Sequence, residues 1–432
     1  MGEARQKVHD FVDDLKNCYL LMDSEENKCV KMHDVIRDVA ISIAFGEELS
    51  FMVRYDKALE DWPQKRLLKN YIVISLKLNG MHGLPGNLEF PKLLLLKLDC
   101  NADLNNEMEE VQVQEAPDCF CQGMKELRVL ALSNMYGSLP TSLRCLTNLR
   151  TLSLSRCPLT DDDVSVIGAL ENLEMLSFAG SRIKELPKEI IGHLGRLKVL
   201  DLLNCTVEKI YPGVLSSLSM LEELYVGNIF QTMDGLQERT EMTNAIITEV
   251  AILSYLVALD IVLFILPRDW VIDKVIMFNI TVCPSSGYNV TQTDYRLPNR
   301  LELRSMDVTD LRDSSSLKKL LQSTKNLELD SVKDYDVSRQ DWLTHTSNRP
   351  WRLEASKDET SKGLMFCYFG MLPAVMYDSA LRDITGKAVN PKLNGMRAKG
   401  RSSSITPLLY IHCRIELPHA GVLSGRTVHW LV

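Results

Sequence analysis

With 49 basic and 57 acidic side chains among 432 residues, the chain carries a net charge of −8. A general nucleic-acid binder would be basic, so charge excludes that class, and the 45% hydrophobic and 25% charged content is ordinary for a soluble protein. Eleven cysteines form an odd set without a regular pairing pattern, which suits reduced thiols in a cytoplasmic protein better than a disulfide framework.

The opening MGEARQKVHDF is polar and charged and does not read as a signal peptide. Val8, Phe11, Val12 and Leu15 fall on one helical face. CYLLM from Cys18 and CVKM from Cys29 flank a polar turn at Asp23–Asn27, the pattern of a hairpin. Val35, Ile36, Val39, Ala40 and Ile43 then mark a second amphipathic helix. Helix, hairpin and helix over residues 1–45 read as the end of a winged-helix unit, with a linker at 46–66. Met32-His33-Asp34 stands just ahead of the second helix. A histidine there can meet a phosphate, because free N–H groups and the helix dipole favour an anion. The spacing alone favours the simpler role of a packed or capping side chain.

From residue 67 a different rule governs. Leu-x-x-Leu-x-Leu recurs as LRVLAL from Leu127, LRTLSL from Leu149, LEMLSF from Leu173, LKVLDL from Leu197 and LEELYV from Leu221. The starts are 22, 24, 24 and 24 residues apart. This phrase at a period of roughly 20–29 residues is the signature of a leucine-rich repeat. The fold class is therefore an α/β leucine-rich-repeat solenoid, curved, with short parallel strands on its concave face, preceded by a partial winged-helix segment. Strands are predicted around Leu130, Leu152, Leu176, Leu200 and Leu224. Weaker phrases from Tyr71 and Leu93 extend the array toward the N-terminus. Others from Tyr255, Arg300 and Asn326 carry it to about residue 335, irregularly after about 227. Cys157 and Cys205, and Asn79 and Asn101, hold the turning position after the strand. Leu-Pro pairs at Leu139 and Leu186 suit short return segments, because proline stops a regular helix. Asp161-Asp162-Asp163 reads as a helix start, where acidic side chains complement the dipole, rather than as a metal site.

The most apolar stretch, Val250 to Leu266, is interrupted by Asp260, so no membrane span is expected. Residues 336–432 hold no repeat phrase and read as an atypical, poorly ordered tail. Cys119-Phe-Cys121 lacks a second ligand pair, and no P-loop, H-E-x-x-H, G-x-S-x-G or paired C-x-x-C occurs. No catalytic or metal site is expected, and the chain does not read as an enzyme. The candidate site is the concave face. Arg128, Arg150, Thr151, Glu174, Lys198, Glu222 and Glu223 project there between the inward leucines and mix both signs, which suits a protein partner and not nucleic acid.

KMHDVIRDVAISIA (Lys31 to Ala44) resembles the end of the nucleotide-binding module in plant disease-resistance proteins, the nucleotide-binding leucine-rich-repeat receptors, and is most similar to their coiled-coil class. DWPQKRLLKNYIVISL from Asp61, GMKELRVLALSNM from Gly123, LPRDWVIDKV from Leu266 and LLQSTKNLELDSVKD from Leu320 resemble that family's repeat region, so the likeness covers about residues 1–335. The resemblance implies that His33, with Asp34, contacts the nucleotide, the histidine meeting the β-phosphate of ADP. It also implies that the repeats bind a pathogen effector, a guarded host protein or the nucleotide-binding module itself. Full-length members hold ADP or ATP. This chain, lacking a P-loop, reads as a truncated member with no cofactor of its own. The alternative is an independent repeat adaptor or decoy with no nucleotide switch.

Overall fold

The computed structural model describes residues 2–24, 29–44, 51–59, 68–78, 84–86, 88–100, 116–227, 236–267, 270, 273–284, 299–305, 315–330, 352–355, 412–413 and 428–429. The chain divides into two compact units, Met1–Ser181 with Ile405–Val432, and Arg182–Ser404.

The first unit begins with helix α1 (Gly2–Asn17), which buries Val12 and half-buries Val8 and Leu15 while leaving Phe11 64% exposed. Strands β1 (Met22–Asp23) and β2 (Cys29–Lys31) pair antiparallel with Met22 opposite Lys31, as the polar turn between them predicts. Helix α2 (Asp34–Ala44) follows. A parallel sheet then runs through β3 (Phe51–Leu59), β4 (Val73–Leu78), β5 (Leu95–Asp99), β6 (Val129–Ser133), β7 (Thr151–Ser155) and β9 (Met175–Ser177). The two-residue β8 (Pro158–Leu159) and helix α3 (Asp161–Gly168) lie between the last two of these. The register aligns Ile74, Leu96, Leu130, Leu152 and Leu176 in one column, each at most 1% exposed. Leu76, Leu98, Leu132 and Leu154 make a second. One strand with its return segment cannot cover its own leucines, so each coil completes the core of the next.

Polar groups tie the turns together. The N–H of Cys157 donates to Ser181 Oγ (2.8 Å), whose hydroxyl donates to the Leu154 carbonyl (2.8 Å). Thr160 and Asp163 form a capping box at the start of α3, so the acidic triplet opens a helix as its sequence predicts. Asp163 also accepts the N–H of Leu139 (2.6 Å), one coil back. Gly123 permits a close backbone approach: its carbonyl accepts the Phe90 N–H (3.0 Å), and a Cβ there would sit 1.9 Å from the Leu88 carbonyl oxygen.

In the second unit the parallel sheet comprises β11 (Val199–Asp201), β13 (Glu223–Gly227), β14 (Ala258–Leu263), β15 (Met277–Val282), β16 (Arg300–Arg304), β17 (Asn326–Asp330) and β18 (Arg352–Ala355). Leu200, Leu224, Leu259 and Phe278 share a column, as do Ile280, Leu301, Leu327 and Leu353. A smaller parallel pair joins β10 (Arg182–Leu186) to β12 (Thr206–Ile210). The return segments are α4 (Lys188–Ile191), α5 (Val214–Ser217), α6 (Leu236–Ile252) and α7 (Ser315–Ser323). Pro187 stands at the N-cap of α4, consistent with the Leu-Pro reading, and Glu249 of α6 accepts the N–H groups of Gly213 (2.6 Å) and Ser216 (3.1 Å) at the start of α5. Both units are leucine-rich-repeat solenoid.

Three differences from the sequence reading have physical reasons. β3 lies within the stretch read as a linker; a parallel edge strand needs backbone pairing with β4, not a leucine phrase. β15 was not foreseen because Val275, Phe278 and Ile280 replace the leucines of the phrase while keeping its spacing. β18 carries the sheet past residue 335, by pairing Arg352–Ala355 with β17. Asn79, Asn101 and most of 336–432 lie outside the described residues.

Replacing Leu152 or Leu200 by alanine should destabilise the chain by roughly 2–5 kcal/mol in urea unfolding, since each sits fully inside a leucine column. Gly123→Ala should also lower the unfolding midpoint, because the new methyl meets backbone rather than a movable side chain. Wild-type midpoints in these variants would be incompatible with the register described.

Candidate interaction face and the helix-start histidine

His33 closes the N-terminus of α2. Its carbonyl accepts the Arg37 N–H (2.9 Å), and its Nδ1 accepts the Val35 N–H (3.2 Å). The imidazole thus fills one of the orphan donors of the first helical turn. It is exposed, and Nε2 is not committed to the cap. Asp34 pairs with Arg37 Nη1 (3.2 Å), and the same guanidinium reaches Asp38 (2.8 Å). The pair can offer an anion one ring nitrogen and little else. The apolar stripe of α2 is turned to solvent: Val35, Val39 and Ile43 are all more than half exposed.

The face of the sheet opposite the leucine core is graded. Its edge row is laid down by the backbone ladder. In the first unit the N–H of Arg150 donates to Arg128 O and that of Glu174 to Arg150 O, both at 2.8 Å. In the second, the N–H of Glu222 donates to Lys198 O (2.8 Å). Arg128 and Arg150 are exposed; Thr151, Glu174, Lys198 and Glu222 are half-buried. Arg150 pairs with Glu174 at 2.8 Å, an exposed contact that orders the row more than it stabilises the fold. Glu223 sits deeper, at 1% exposure, and accepts the Tyr225 hydroxyl (2.9 Å). The middle of the face is also buried: Ser75, Ala131, Ser153 and Ser177 in the first unit, and Tyr225, Asp260, Thr281, Arg300 and Glu302 in the second. Lys97, half-buried beside Asp99, has its ammonium pKa lowered by desolvation, with the carboxylate acting against that.

The sequence reading missed a charged network in this middle zone. The register places Asp260, Asn279 and Arg300 in one row and Thr281, Glu302 and Glu328 in the next. Arg300 binds Glu328 through two nitrogens (Nε 2.7 Å, Nη2 2.6 Å), Glu302 through Nη2 (2.8 Å) and Asn279 Oδ1 through Nη1 (3.2 Å). Thr281 donates to Glu302 (2.9 Å), and Arg304 also pairs with Glu302. Burial alone would make the Arg300 guanidinium less basic, but its bonds to Glu328 and the two carboxylates outweigh that, so it stays charged. Asp260 has weaker compensation. Asn279 Nδ2 donates to it (2.7 Å), and desolvation, with Asp201 adding, pushes its carboxyl up to about 7. The signal was present in the sequence as charged residues at alternate positions in LVALDIV, MFNIT and RLELR. Only the register shows that they meet.

Cys100, Cys121, Cys157, Cys205 and Cys283 are buried, as small apolar fillers are, while Cys119 is half-buried and Cys145 exposed. Burial raises the Cys157 thiol to about 11 and those of Cys100, Cys121 and Cys205 to about 12. No group of metal-binding side chains occurs among the described residues, and no helix there is long and apolar enough to cross a membrane.

No family model matches the chain. It is 34% identical over 151 residues to the probable disease resistance protein At4g27220 of Arabidopsis thaliana, covering 34% of this chain and 16% of that protein. It is 31% identical over 157 residues to At1g15890 (35% and 17% covered) and 34% identical over 152 residues to the disease resistance protein At4g27190 (34% and 14% covered), from the same plant. The likeness thus spans only a small part of these relatives. Among solved structures, a Leptospira interrogans leucine-rich-repeat protein shows a TM-score of 0.29 at 27% identity, covering 41% of this chain and 49% of its own. The internalin inlF of Listeria monocytogenes shows 0.39 at 16% identity, with 72% and 88% covered. The repeat fold here rests on the strand register itself.

Two outcomes follow from these sites. Between about pH 4 and 7 the folded chain keeps a proton on Asp260 that the unfolded chain has released, so stability falls as pH rises through that window. Asp260→Asn should therefore be more stable than the parent at pH 8, by on the order of a few kcal/mol, with the difference gone near pH 4. Equal urea midpoints at pH 8 would show that the buried carboxylate costs nothing. Titration calorimetry should find weak or no ADP binding, because His33 supplies one contact while tight phosphate sites use a loop of backbone amides plus lysine. Micromolar affinity lost in His33→Ala would overturn this.

Proposed function

We propose that this chain, a relative of plant disease-resistance proteins, serves plant defence through leucine-rich repeats that bind protein for pathogen recognition or autoinhibition. The observation that carries the reading is the edge row of the sheet face. The backbone ladder presents Arg128, Arg150 and Glu174 in the first unit, and Lys198 and Glu222 in the second, at fixed spacing with mixed sign. A row of that kind offers paired polar contacts and fixes register with a partner, which gives specificity more than raw affinity. The partner classes the family resemblance suggests are a pathogen effector, a guarded host protein or a nucleotide-binding module. The chemistry of the row fits any acidic-and-basic protein surface and does not choose among them. The leucine-rich-repeat fold has no closed cleft of its own, and recognition on an extended face is its usual use.

The second reading, an independent adaptor or decoy, is favoured by one observation: His33 Nδ1 is taken by the helix cap and Asp34 by Arg37, so the helix start offers a nucleotide a single ring nitrogen. In that case the array binds the same partner without signalling.

The test is a pull-down from plant extract with the parent chain and a variant carrying Arg128→Glu, Arg150→Glu and Lys198→Glu. The parent should retain partners that the variant loses, while both unfold at the same urea concentration. Identical partner sets from two folded proteins would rule out recognition by this row.

A further inference from the structure

The edge row changes character within the second unit. After Lys198 and Glu222 its next rungs are Val257 and Ile276, held by Val257 N–H to Glu222 O (2.8 Å) and Ile276 N–H to Val257 O (2.9 Å). Two residues before each rung, in the turn that leads into the strand, stand Met220, Tyr255 and Lys274. The register therefore sets out a small grid. One line runs Met220, Tyr255, Lys274; the other runs Glu222, Val257, Ile276. Met220 is 42% exposed, Tyr255 58% and Ile276 70%, and Ile252, at the end of α6 just before Tyr255, is 62% exposed. The equivalent positions in the first unit carry Glu126, Asn148 and Asn172, and Arg128, Arg150 and Glu174. An apolar patch on the side of a charged repeat array is the kind of surface that marks an interaction site.

The distribution of charge on the grid says what fits it. Its apolar centre has an acid at one corner, Glu222, and a base at the opposite corner, Lys274. Among the described residues Lys274 has no ion-pair partner, whereas its neighbour Asp273 lies 3.8 Å from Lys319. Two such grids brought face to face about a twofold axis along the Met220–Ile276 diagonal place Glu222 of each copy against Lys274 of the other. The same operation sets Tyr255 on Val257 and leaves Met220 and Ile276 each facing its own counterpart. An acid and a base at opposite corners of an apolar centre are the requirement for a self-complementary, isologous contact. A foreign partner would need no such diagonal.

We propose that this lateral edge of the second unit, centred on Tyr255, Val257 and Ile276, is a twofold self-association surface for a second copy of the chain. It continues the edge row assigned above to partner binding and shares Glu222 with it, so a dimer covers that end of the row and leaves Arg128, Arg150 and Glu174 to a partner. A contact made by these few side chains is smaller than the ~800 Å² per partner of a standard stable interface, so association should be weak and concentration-dependent.

Sedimentation velocity of the full chain should show dimer growing in as concentration rises toward ~100 μM. Ile276→Asp should abolish it while leaving the urea midpoint unchanged, since the side chain is exposed. Glu222→Lys and Lys274→Glu should each weaken the dimer several-fold, and the two together should restore it. A chain that stays monomeric throughout overturns the proposal. So does a dimer indifferent to Ile276→Asp, or one that the charge-exchanged double variant fails to recover.

Discussion

Each coil of this protein makes a strand whose leucines it cannot cover by itself. Leu152 is buried because Leu130 and Leu176 lie above and below it in the ladder, and the same holds for Leu200 against Leu224. A one-residue slip between neighbouring strands would turn the leucines outward and the polar residues inward, so the register is held tightly. The period of the sequence, the parallel pairing and the graded opposite face are all consequences of that demand. Parallel strands also leave their turns with donors and acceptors to satisfy, and the chain meets this with side chains reaching between coils. Asp163 serves its own helix and the Leu139 amide, Glu249 caps a different helix, and Ser181 bridges Cys157 to Leu154. These acids and hydroxyls look like site chemistry in a list of residues, yet they hold backbone.

Function is left to what the ladder does not use. The edge row projects charged side chains at a regular spacing, while the middle of the same face is buried, and in the second unit it is charged as well. The Arg300 network satisfies its own charges: two carboxylates, an amide and a guanidinium share one set of bonds. Asp260, in the same row as Arg300, accepts its hydrogen bond from an amide and sits in a place where a carboxylate is costly. A buried network of this type contributes little net stability relative to an apolar one, but losing one member leaves the others uncompensated. The lateral edge shows a third solution, in which the same rungs become apolar at Val257 and Ile276.

The helix-start histidine illustrates how one residue reads differently at two levels. In sequence, Met32-His33-Asp34 before a helix is compatible with an anion contact, and its family resemblance gives that contact a nucleotide. In the structure the ring accepts the Val35 N–H, and the neighbouring carboxylate is held by Arg37. Both uses draw on the same unsatisfied amides of the first turn, so a cap and a phosphate compete for one place. Val35, Val39 and Ile43, each more than half exposed, show that α2 keeps an amphipathic pattern whose apolar side is turned largely to solvent.

The period-24 leucine phrase was enough by itself to determine the repeat fold, the positions of its central strands, and the set of charged residues available on the edge row. It could do so because the spacing of inward residues is a local, covalent property of each strand. The strand at Met277–Val282 escaped because other apolar residues replace leucine at unchanged spacing, and Phe51–Leu59 escaped because an edge strand needs no apolar phrase at all. Tertiary structure alone decided which of the outward residues are reachable. Glu222 and Glu223 are neighbours in sequence, yet one is half-buried at the edge and the other nearly sealed beneath Tyr225. It alone brought Asp260, Asn279, Arg300 and Glu328 together from four strands, and set Glu222, Val257 and Ile276 on successive rungs. Such meetings depend on the lengths of the loops between coils and on which rungs the ladder aligns, and neither is written in any single repeat.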